Sequence, residues 1–330
     1  MRVSIAVPTY NEERNIGHLL DSLRRQQTFL AQIVEIVVVA SGCTDGTIDV
    51  VKDRQQKPGT PIRLITERIR RGKVAALNTY FRTHKPKVEA ICVCSADLLV
   101  QADAIEKLVQ PLHRHADVGM SGARPVPTNG VGTFLGEATR FLWNMHHRVA
   151  LESPKLGEMV LIRAGIVNRL PTESAVDEAS LEQLVSAAGY RLVYVQDAIV
   201  HNHGPETLSD FVRQRRRIAA GHYWLRHVSG YAVATMDLSR VVRLTLSELP
   251  VGKPRLLVYA LGTIGLEAVS RGLGYYDFLT NNQHIVWKVS ETTKAVMTDE
   301  IRPLYETEPT EAEAEETVTR KRVAGTRTRQ

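Results

Sequence analysis

The sequence predicts an α/β protein: a mostly parallel, twisted sheet flanked by helices, followed by a helical C-terminal extension. Three observations lead there. From Val3 to Cys94, short β-branched runs alternate with helical patterns in the order βαβαβαβ, and crossovers of that kind join parallel strands. One of these runs, Ile33–Val39 (IVEIVVV), is almost continuously apolar, as a strand covered on both faces must be. Small and polar residues gather directly after the strands, where open α/β sheets bind their ligands.

Element by element, Val3–Val7 reads as the first strand. Glu12–Arg25 reads as an amphipathic helix with Ile16, Leu19, Leu20 and Leu23 on one face. Ile33–Val39 is the second strand and Thr47–Gln56 the second helix. Ile62–Ile65, Lys73–Arg82 and Val88–Cys94 continue the alternation, and Asp103–His115 is a helix. The rhythm then changes. Ala116–Arg124 reads as a strand, VPTNGVG at Val126–Gly132 as turns, and Phe134–Leu151 as a long helix carrying Trp143, His146 and His147. Glu158–Arg163 is a strand, and Asp177–Ala188 is a helix closed by Gly189, a natural residue just past a helix end. Tyr190–Val195 is a strand and Leu208–His227 a basic helix.

Composition narrows the class. With 43% hydrophobic and 24% charged residues over 330 positions, the chain can bury a substantial core. Three cysteines, Cys43, Cys92 and Cys94, are too few for a disulfide scaffold and lack the spacing of a zinc site, which points to reduced thiols and a cytoplasmic location. The opening MRVSIAVPTYNEE has no long apolar run, so no export signal is expected. The net charge is +6. Residues 306–330 hold six Glu and five Lys/Arg and read as a disordered tail, which leaves +7 on the preceding 305 residues. A basic body suits anionic partners such as nucleotide phosphates or a phospholipid surface, and is also ordinary solubilising charge.

Four segments that follow strands carry the functional signal. They are Pro8-Thr9-Tyr10-Asn11-Glu12, Ser41-Gly42-Cys43-Thr44-Asp45-Gly46-Thr47, Arg71-Gly72-Lys73 with Ala75-Ala76-Leu77-Asn78 after it, and Ser95-Ala96-Asp97. Each places small or polar groups where a nucleotide would lie, and the helix N-terminus at Lys73 favours phosphate. Singly, each is also an ordinary connection. No G-x-G-x-x-G follows the first strand, and there is no Walker A sequence.

Together and in this order, these segments resemble the family 2 glycosyltransferases, over roughly residues 2 to 225. IAVPTYNEERNIGHLLDSL is similar to that family's opening strand and helix, VVVASGCTDGT to its second-strand turn, and RRGKVAALN to its Gly-Lys-x-x-Ala-Leu-Asn segment. CSADLLV stands at the place of D-x-D. Val176-Asp177-Glu178, ahead of Gly189-Tyr190-Arg191, stands at the place of the acidic catalytic motif, and Gln214-Arg215-Arg216-Arg217-Ile218 at that of Q-x-x-R-W.

The resemblance implies a GT-A fold over residues 1–230, with a nucleotide-sugar half to about 115 and an acceptor half from about 116. Residues 231–305 are then a helical extension. It implies an inverting enzyme that moves one sugar from a nucleotide-diphosphate sugar, UDP-linked, to an acceptor hydroxyl, with Mg²⁺ or Mn²⁺. On this pattern Pro8, Thr9, Tyr10, Glu12, Ser41, Asp45, Gly72, Lys73, Ala96 and Asp97 bind the donor, and Asp97 holds the metal. Gln214 and Arg217, with Arg216 beside them, lie near the diphosphate and acceptor.

The chemistry accounts for these residue types: a diphosphate leaving group needs a cation and arginines, and the acceptor hydroxyl needs a carboxylate base. Asp177 and Glu178 both stay open as that base. Counting back from Gly189 selects Glu178, and residue type selects Asp177. Each residue also has a structural reading. Asp97 can cap a helix, the acid pair can complement a helix dipole, and the arginines can form a solvated face. His146 and His147 fit packing better than metal binding, while His201 and His203 in HNHGP can approach the site or fill a turn.

The chain departs from the family pattern where Ser95 replaces the first Asp of D-x-D, Ser41 stands where an Asp is frequent, and Ile218 replaces Trp. The last argues for adding a single sugar. Two rivals follow: a catalytically silent nucleotide-sugar-binding relative, and a sugar-phosphate nucleotidyltransferase. The run Leu256–Leu266 is eleven residues long, short of the about 20 a membrane span needs. It reads as a core helix, or as an interfacial helix beside a lipid-linked or cell-envelope acceptor on the inner face of the membrane. Nucleic acid is not an expected partner, since the basic stretch has few interleaved aromatics.

Overall fold

The structure, a computed structural model, describes residues 1–83 and 87–286. The elements run β1 (Arg2–Thr9), α1 (Ile16–Arg24), β2 (Gln32–Ser41), α2 (Thr47–Gln55), β3 (Ile62–Glu67), α3 (Lys73–Thr83), β4 (Ala90–Cys94) and β5 (Leu99–Val100). There follow α4 (Ala104–Arg114), β6 (Val118–Pro127), α5 (Phe134–Glu152), β7 (Met159–Arg163), α6 (Asp177–Ala187), β8 (Arg191–Asn202) and α7 (Leu208–Ser229). Two helices close the described chain, α8 (Leu238–Glu248) and α9 (Pro254–Leu279). The expected charged tail, 306–330, lies outside the described residues.

The strands form one sheet in the order β3-β2-β1-β4-β7-β6-β8-β5. One side, β3-β2-β1-β4, is wholly parallel, as the βαβ alternation requires. The other side is mixed: β7 runs antiparallel to both β4 and β6, β5 antiparallel to β8, and only β6 and β8 pair in parallel. Alternate side chains feed two apolar layers. Ile36 and Val38 pack with Leu19, Leu20 and Leu23 of α1 on one face, while Val37 and Val39 pack with Leu77 and Tyr80 of α3 on the other. Tyr80 is fully buried, and its hydroxyl donates to Ser4 Oγ across 2.8 Å, so the aromatic ring enters the core without an unsatisfied polar end.

The placement of β7 matters for the site. Cys94 pairs with Met159, so the residues beyond that pair, Ser95 and Glu158, meet where the two strands end. Ser95 N donates to the Glu158 carbonyl across 3.0 Å, and Glu158 adopts a left-handed φ of 61°. A non-glycine side chain held there is strained, and such positions persist only where their surroundings fix them.

The apolar run at Leu256–Leu266 belongs to a much longer helix than expected. α9 has 26 residues, its most apolar 18-residue window has mean hydropathy 1.3, and it is long and apolar enough, by length and composition, to cross a membrane. Only 17% of its most apolar window is buried, so it is not a core helix. Beyond the exposed Arg255 of its first turn, its charges do not break it, because they turn inward. Glu267 takes Arg215 of α7 and Arg271 of α9 itself, and Asp277 takes Arg216 of α7. Gly274 lets the two helices touch, since a Cβ there would lie 2.6 Å from the Arg216 carbonyl oxygen. Val258, Leu261, Val269, Tyr276 and Leu279 face outward instead.

Candidate active site

A cavity of about 700 Å³ opens at the carboxyl ends of the parallel strands and continues between α5, α7, α8 and α9. The post-strand segments that stood out in the sequence line its first half. Pro8, Thr9, Tyr10 and Glu12 come from the β1 turn and Ser41 from the end of β2. Gly72 and Lys73 come from the α3 N-terminus, and Ala96 and Asp97 from the segment after β4. Asp97 does not cap a helix; the short strand β5 follows it.

The centre of the site is Lys73. Its Nζ donates to Ser95 Oγ at 3.0 Å and to Glu178 Oε1 at 2.7 Å, and lies 2.9 Å from Asp177 Oδ2. The acid pair sits in the first turn of α6, so it also complements that helix dipole. The two acids are not equivalent. Lys73 and a hydrogen bond from Asp177 hold Glu178 down to about 2 against the cost of burial. Burial, followed by the neighbouring charge of Glu178, pushes Asp177 up to about 6. Lys73 is itself pushed up by the acids facing it despite its desolvation, and stays charged.

A third acid, which sequence reasoning missed, completes the cluster. Glu158 lines the cavity, and burial together with the charges of Asp97, Glu178 and Asp177 pushes it up to about 8. Its sequence signal was faint: an acid directly before an apolar strand. Arg217 faces the same group and donates to the Ala175 carbonyl at 3.3 Å, with desolvation pulling its guanidinium down. Four acids thus gather around two cations, Lys73 and Arg217; with Glu158 favoured neutral, Asp97, Asp177 and Glu178 carry the negative side.

That imbalance fits a divalent cation with anionic ligands of its own. Among the described residues no group of three or more His, Cys, Asp or Glu is arranged to hold a metal alone. Asp97, with the cavity open beside it, can therefore supply one carboxylate to a cation otherwise held by a diphosphate.

Two expected residues are placed elsewhere. Asp45 does not line the cavity. Its carboxylate accepts from Thr47 N at 3.1 Å and Glu13 N at 3.2 Å, tying the start of α2 to the loop before α1. Arg216 is turned away because consecutive helical residues diverge by about 100°; its guanidinium grips Asp277 on α9. Gln214 and Arg217 do line the cavity, and so do Arg213 and Arg215. The arginines are not a solvated face: Arg213 pairs with Asp210 at 2.6 Å and Arg215 with Glu267 at 2.7 Å. Of the HNHGP histidines, His203 lines the cavity and bonds Thr128 Oγ1 at 2.9 Å, whereas His201 is buried elsewhere. His147 bonds the Tyr194 hydroxyl at 3.0 Å, and His146 lines the cavity.

On the donor side, the Arg70 guanidinium lies over the Tyr10 ring, 3.9 Å from its centroid, and Ser41 Oγ donates to Glu67 at 2.6 Å. This part of the site is therefore organised by polar contacts between the post-strand loops rather than by a glycine-rich phosphate loop.

Comparison with known proteins gives a consistent picture. The chain matches the model of Glycosyl transferase family 2 over residues 4–165 and that of Glycosyl transferase family group 2 over residues 90–269. It is 26% identical over 244 residues to the probable glycosyltransferase YdaM of Bacillus subtilis, covering 68% of this chain and 56% of that protein. It is 27% identical over 116 residues to the undecaprenyl-phosphate 4-deoxy-4-formamido-L-arabinose transferase of Aeromonas hydrophila, covering 35% of each. The chain thus spans about half the length of the first relative and about a third of the second. Among solved structures, it resembles the mannosyltransferase PcManGT of Pyrobaculum calidifontis, determined with GDP-Man and Mn²⁺: TM-score 0.57, 22% identity, 93% of this chain and 88% of that one. It also resembles the glucosyl-3-phosphoglycerate synthase of Mycobacterium tuberculosis, determined with Mg²⁺ and uridine diphosphate: TM-score 0.50, 18% identity, 69% and 79% covered. At these identities the likeness is one of fold.

Proposed function

The chain belongs to glycosyl transferase family 2, and on that premise we propose that it moves one sugar from a nucleotide-diphosphate sugar, UDP-linked, to an acceptor hydroxyl with inversion. The observation that carries the reading is the convergence on Lys73, which ties the Gly-Lys segment, the Ser-Ala-Asp segment and the acid pair together inside one cavity. The three motifs are far apart in sequence, and their meeting inside one cavity supports a shared chemical role beside the structural one.

In this reading Asp177 is the base. A carboxyl pushed up to about 6 is ionised at neutral pH yet basic enough to take a proton from the acceptor hydroxyl. Glu178, held ionised by Lys73, keeps that lysine in place and raises the proton affinity of its neighbour. Arg217 supplies fixed positive charge near the acids, where the departing diphosphate gathers charge. Asp97 would hold a Mg²⁺ or Mn²⁺ ion, which when bound neutralises the diphosphate. Residues 1–230 carry catalysis in this reading, and 231–305 are its helical extension.

The outward face of α9 supports a lipid-linked or cell-envelope acceptor and a cytoplasmic enzyme peripheral to the inner membrane face. From Val258 to Leu279 its exposed side chains are uncharged, while Glu267, Arg271 and Asp277 point inward. The similarity to an undecaprenyl-phosphate sugar transferase of Aeromonas hydrophila is compatible with such a setting.

The test is donor hydrolysis across a panel of nucleotide-sugars with Mn²⁺. Release of nucleoside diphosphate, lost in Asp97→Asn with the melting temperature kept, is the expected result. Pyrophosphate release from a nucleoside triphosphate supplied with a sugar 1-phosphate, in a parallel assay, would instead make the chain a nucleotidyltransferase. No turnover, with donor still bound, would make it a silent binding relative.

A further inference from the structure

The far half of the cavity, along α5, contains polar atoms that nothing in the protein satisfies. Thr139 Oγ1, Asn202 Oδ1 and His146 Nδ1 are buried and have no hydrogen-bond partner among the described residues. Thr139 is 4% exposed and Asn202 7% exposed. All three residues line the cavity. Buried polar groups are almost always paired, and leaving one unpaired is costly, so three orphans on one wall call for a ligand.

Their arrangement gives the ligand's shape. Thr139, Trp143 and His146 stand at i, i+4 and i+7 and so share one face of α5, with the Trp143 indole between the two orphaned groups. Seven residues of helix span about 10 Å, the length of one to two sugar rings. The Thr139 end is closed by Gly204, where a Cβ would come within 2.9 Å of Oγ1. The His146 end approaches Gly157, next to Glu158 and the acid cluster.

The charges on this wall give the ligand's chemistry. Each cation there already has a carboxylate: Arg213 has Asp210, Arg215 and Arg271 share Glu267, and Lys155 lies 3.6 Å from Glu182. A phosphate would have to draw these cations off the carboxylates that hold them. It would also bring only acceptor oxygens to the Asn202 carbonyl oxygen, which needs a donor. A hydroxyl is both donor and acceptor, and a pyranose presents several around an apolar face suited to an indole.

Resting on the transferase reading above, we infer that Thr139, Trp143, His146 and Asn202 form the acceptor subsite, and that the acceptor's reacting end is a hydroxylated sugar ring rather than a bare lipid phosphate. The inner end of this wall delivers such a ring toward Asp177.

The test is saturation-transfer NMR on the full chain with UDP and the diamagnetic Mg²⁺. The probes are the methyl α-pyranosides of glucose, mannose and galactose, with octyl phosphate as the competing chemistry. At least one glycoside should receive saturation. Thr139→Val should weaken it about fivefold or more, and Thr139→Ser should restore it. Because Thr139→Val removes an unsatisfied buried hydroxyl without changing shape, the melting temperature should hold or rise while sugar binding falls. A structural threonine would move the other way. No saturation of any glycoside, equal saturation in Thr139→Val, or displacement of glycoside by octyl phosphate would each overturn the inference. Donor hydrolysis measured on the same samples separates the two readings. Hydrolysis without glycoside binding sinks only the subsite; glycoside binding without hydrolysis sinks only the transferase.

Discussion

Lys73 Nζ donates to Glu178 Oε1 across 2.7 Å, joining two residues 105 positions apart in the chain. The contact fixes the start of α3 to the start of α6 at the floor of the cavity, with Asp177 and Ser95 as further partners. Lys73 is 18% exposed and Asp177 5% exposed, so removing the ammonium strands buried carboxylates. Lys73→Gln is expected to destabilise the protein by about 3–5 kcal/mol and to abolish turnover. Thermal unfolding and donor hydrolysis check both. Wild-type stability would show that the pair is formed only weakly.

The acids should separate by role. Asp177→Asn is expected to lower kcat by about 10²-fold or more with donor affinity kept. Glu178→Gln, which frees Lys73 and removes the charge that raises Asp177, should do less to kcat. The pH profile carries the sign. With Asp177 pushed up to about 6, activity should fall as pH drops through that value and the base becomes protonated. In Glu178→Gln the acid limb should move to lower pH, because the like charge is gone. An unmoved limb would take Asp177 out of the base role.

What the sequence made legible, and what it hid, follows from how local each signal is. Pro8, Thr9, Tyr10, Glu12, Ser41, Gly72, Lys73, Ala96 and Asp97 could be read as cavity-lining because parallel βαβ units put post-strand residues on one edge of the sheet. Glu158 was not, because it reaches the site through β7, and the insertion of an antiparallel strand between β4 and β6 has no local signature. Asp45 misled because an aspartate after a strand serves equally to tie a helix start. The phase of α7 could not be read either: four arginines in five residues point every way until Glu267 and Asp277 of α9 show which are taken. α9 itself was misjudged in length because Glu267 looked like a boundary, whereas it turns inward.

Glu158 gives a stability test with a definite sign. Its folded-state value, about 8, is raised above the ordinary one, so the fold favours the neutral acid. That contribution is complete below the ordinary carboxyl range and is lost as pH rises through about 8. Glu158→Gln stays neutral throughout. Measured with chelator present, its melting temperature should match wild type near pH 4 and exceed it by several degrees above pH 8. Parallel curves across that range would mean that Glu158 is ionised in the fold and that the acid cluster is less crowded than its geometry indicates.

The arginines of α7 make the final test, since side chains one residue apart do different work. Arg217 faces Asp177, Glu178 and Glu158 inside the cavity, where its planar guanidinium can grip phosphate oxygens through two parallel donors. Arg217→Lys keeps the charge and loses that geometry, so turnover should fall about tenfold or more with little change in stability. Arg216 faces the other way and holds Asp277, which is 2% exposed, so Arg216→Leu leaves that carboxylate to His284 and Asn282. It should loosen α9 from α7, at about 1–2 kcal/mol given the partial exposure of the arginine, and leave kcat with a soluble acceptor near wild type. Arg213, paired with Asp210 and 40% exposed at its side chain, should tolerate lysine with turnover almost unchanged. Turnover and melting curves on the three variants decide the phase of the helix. Loss of turnover in Arg216→Leu at unchanged stability would mean that Arg216 reaches the substrate, and that its pairing with Asp277 opens when the donor binds.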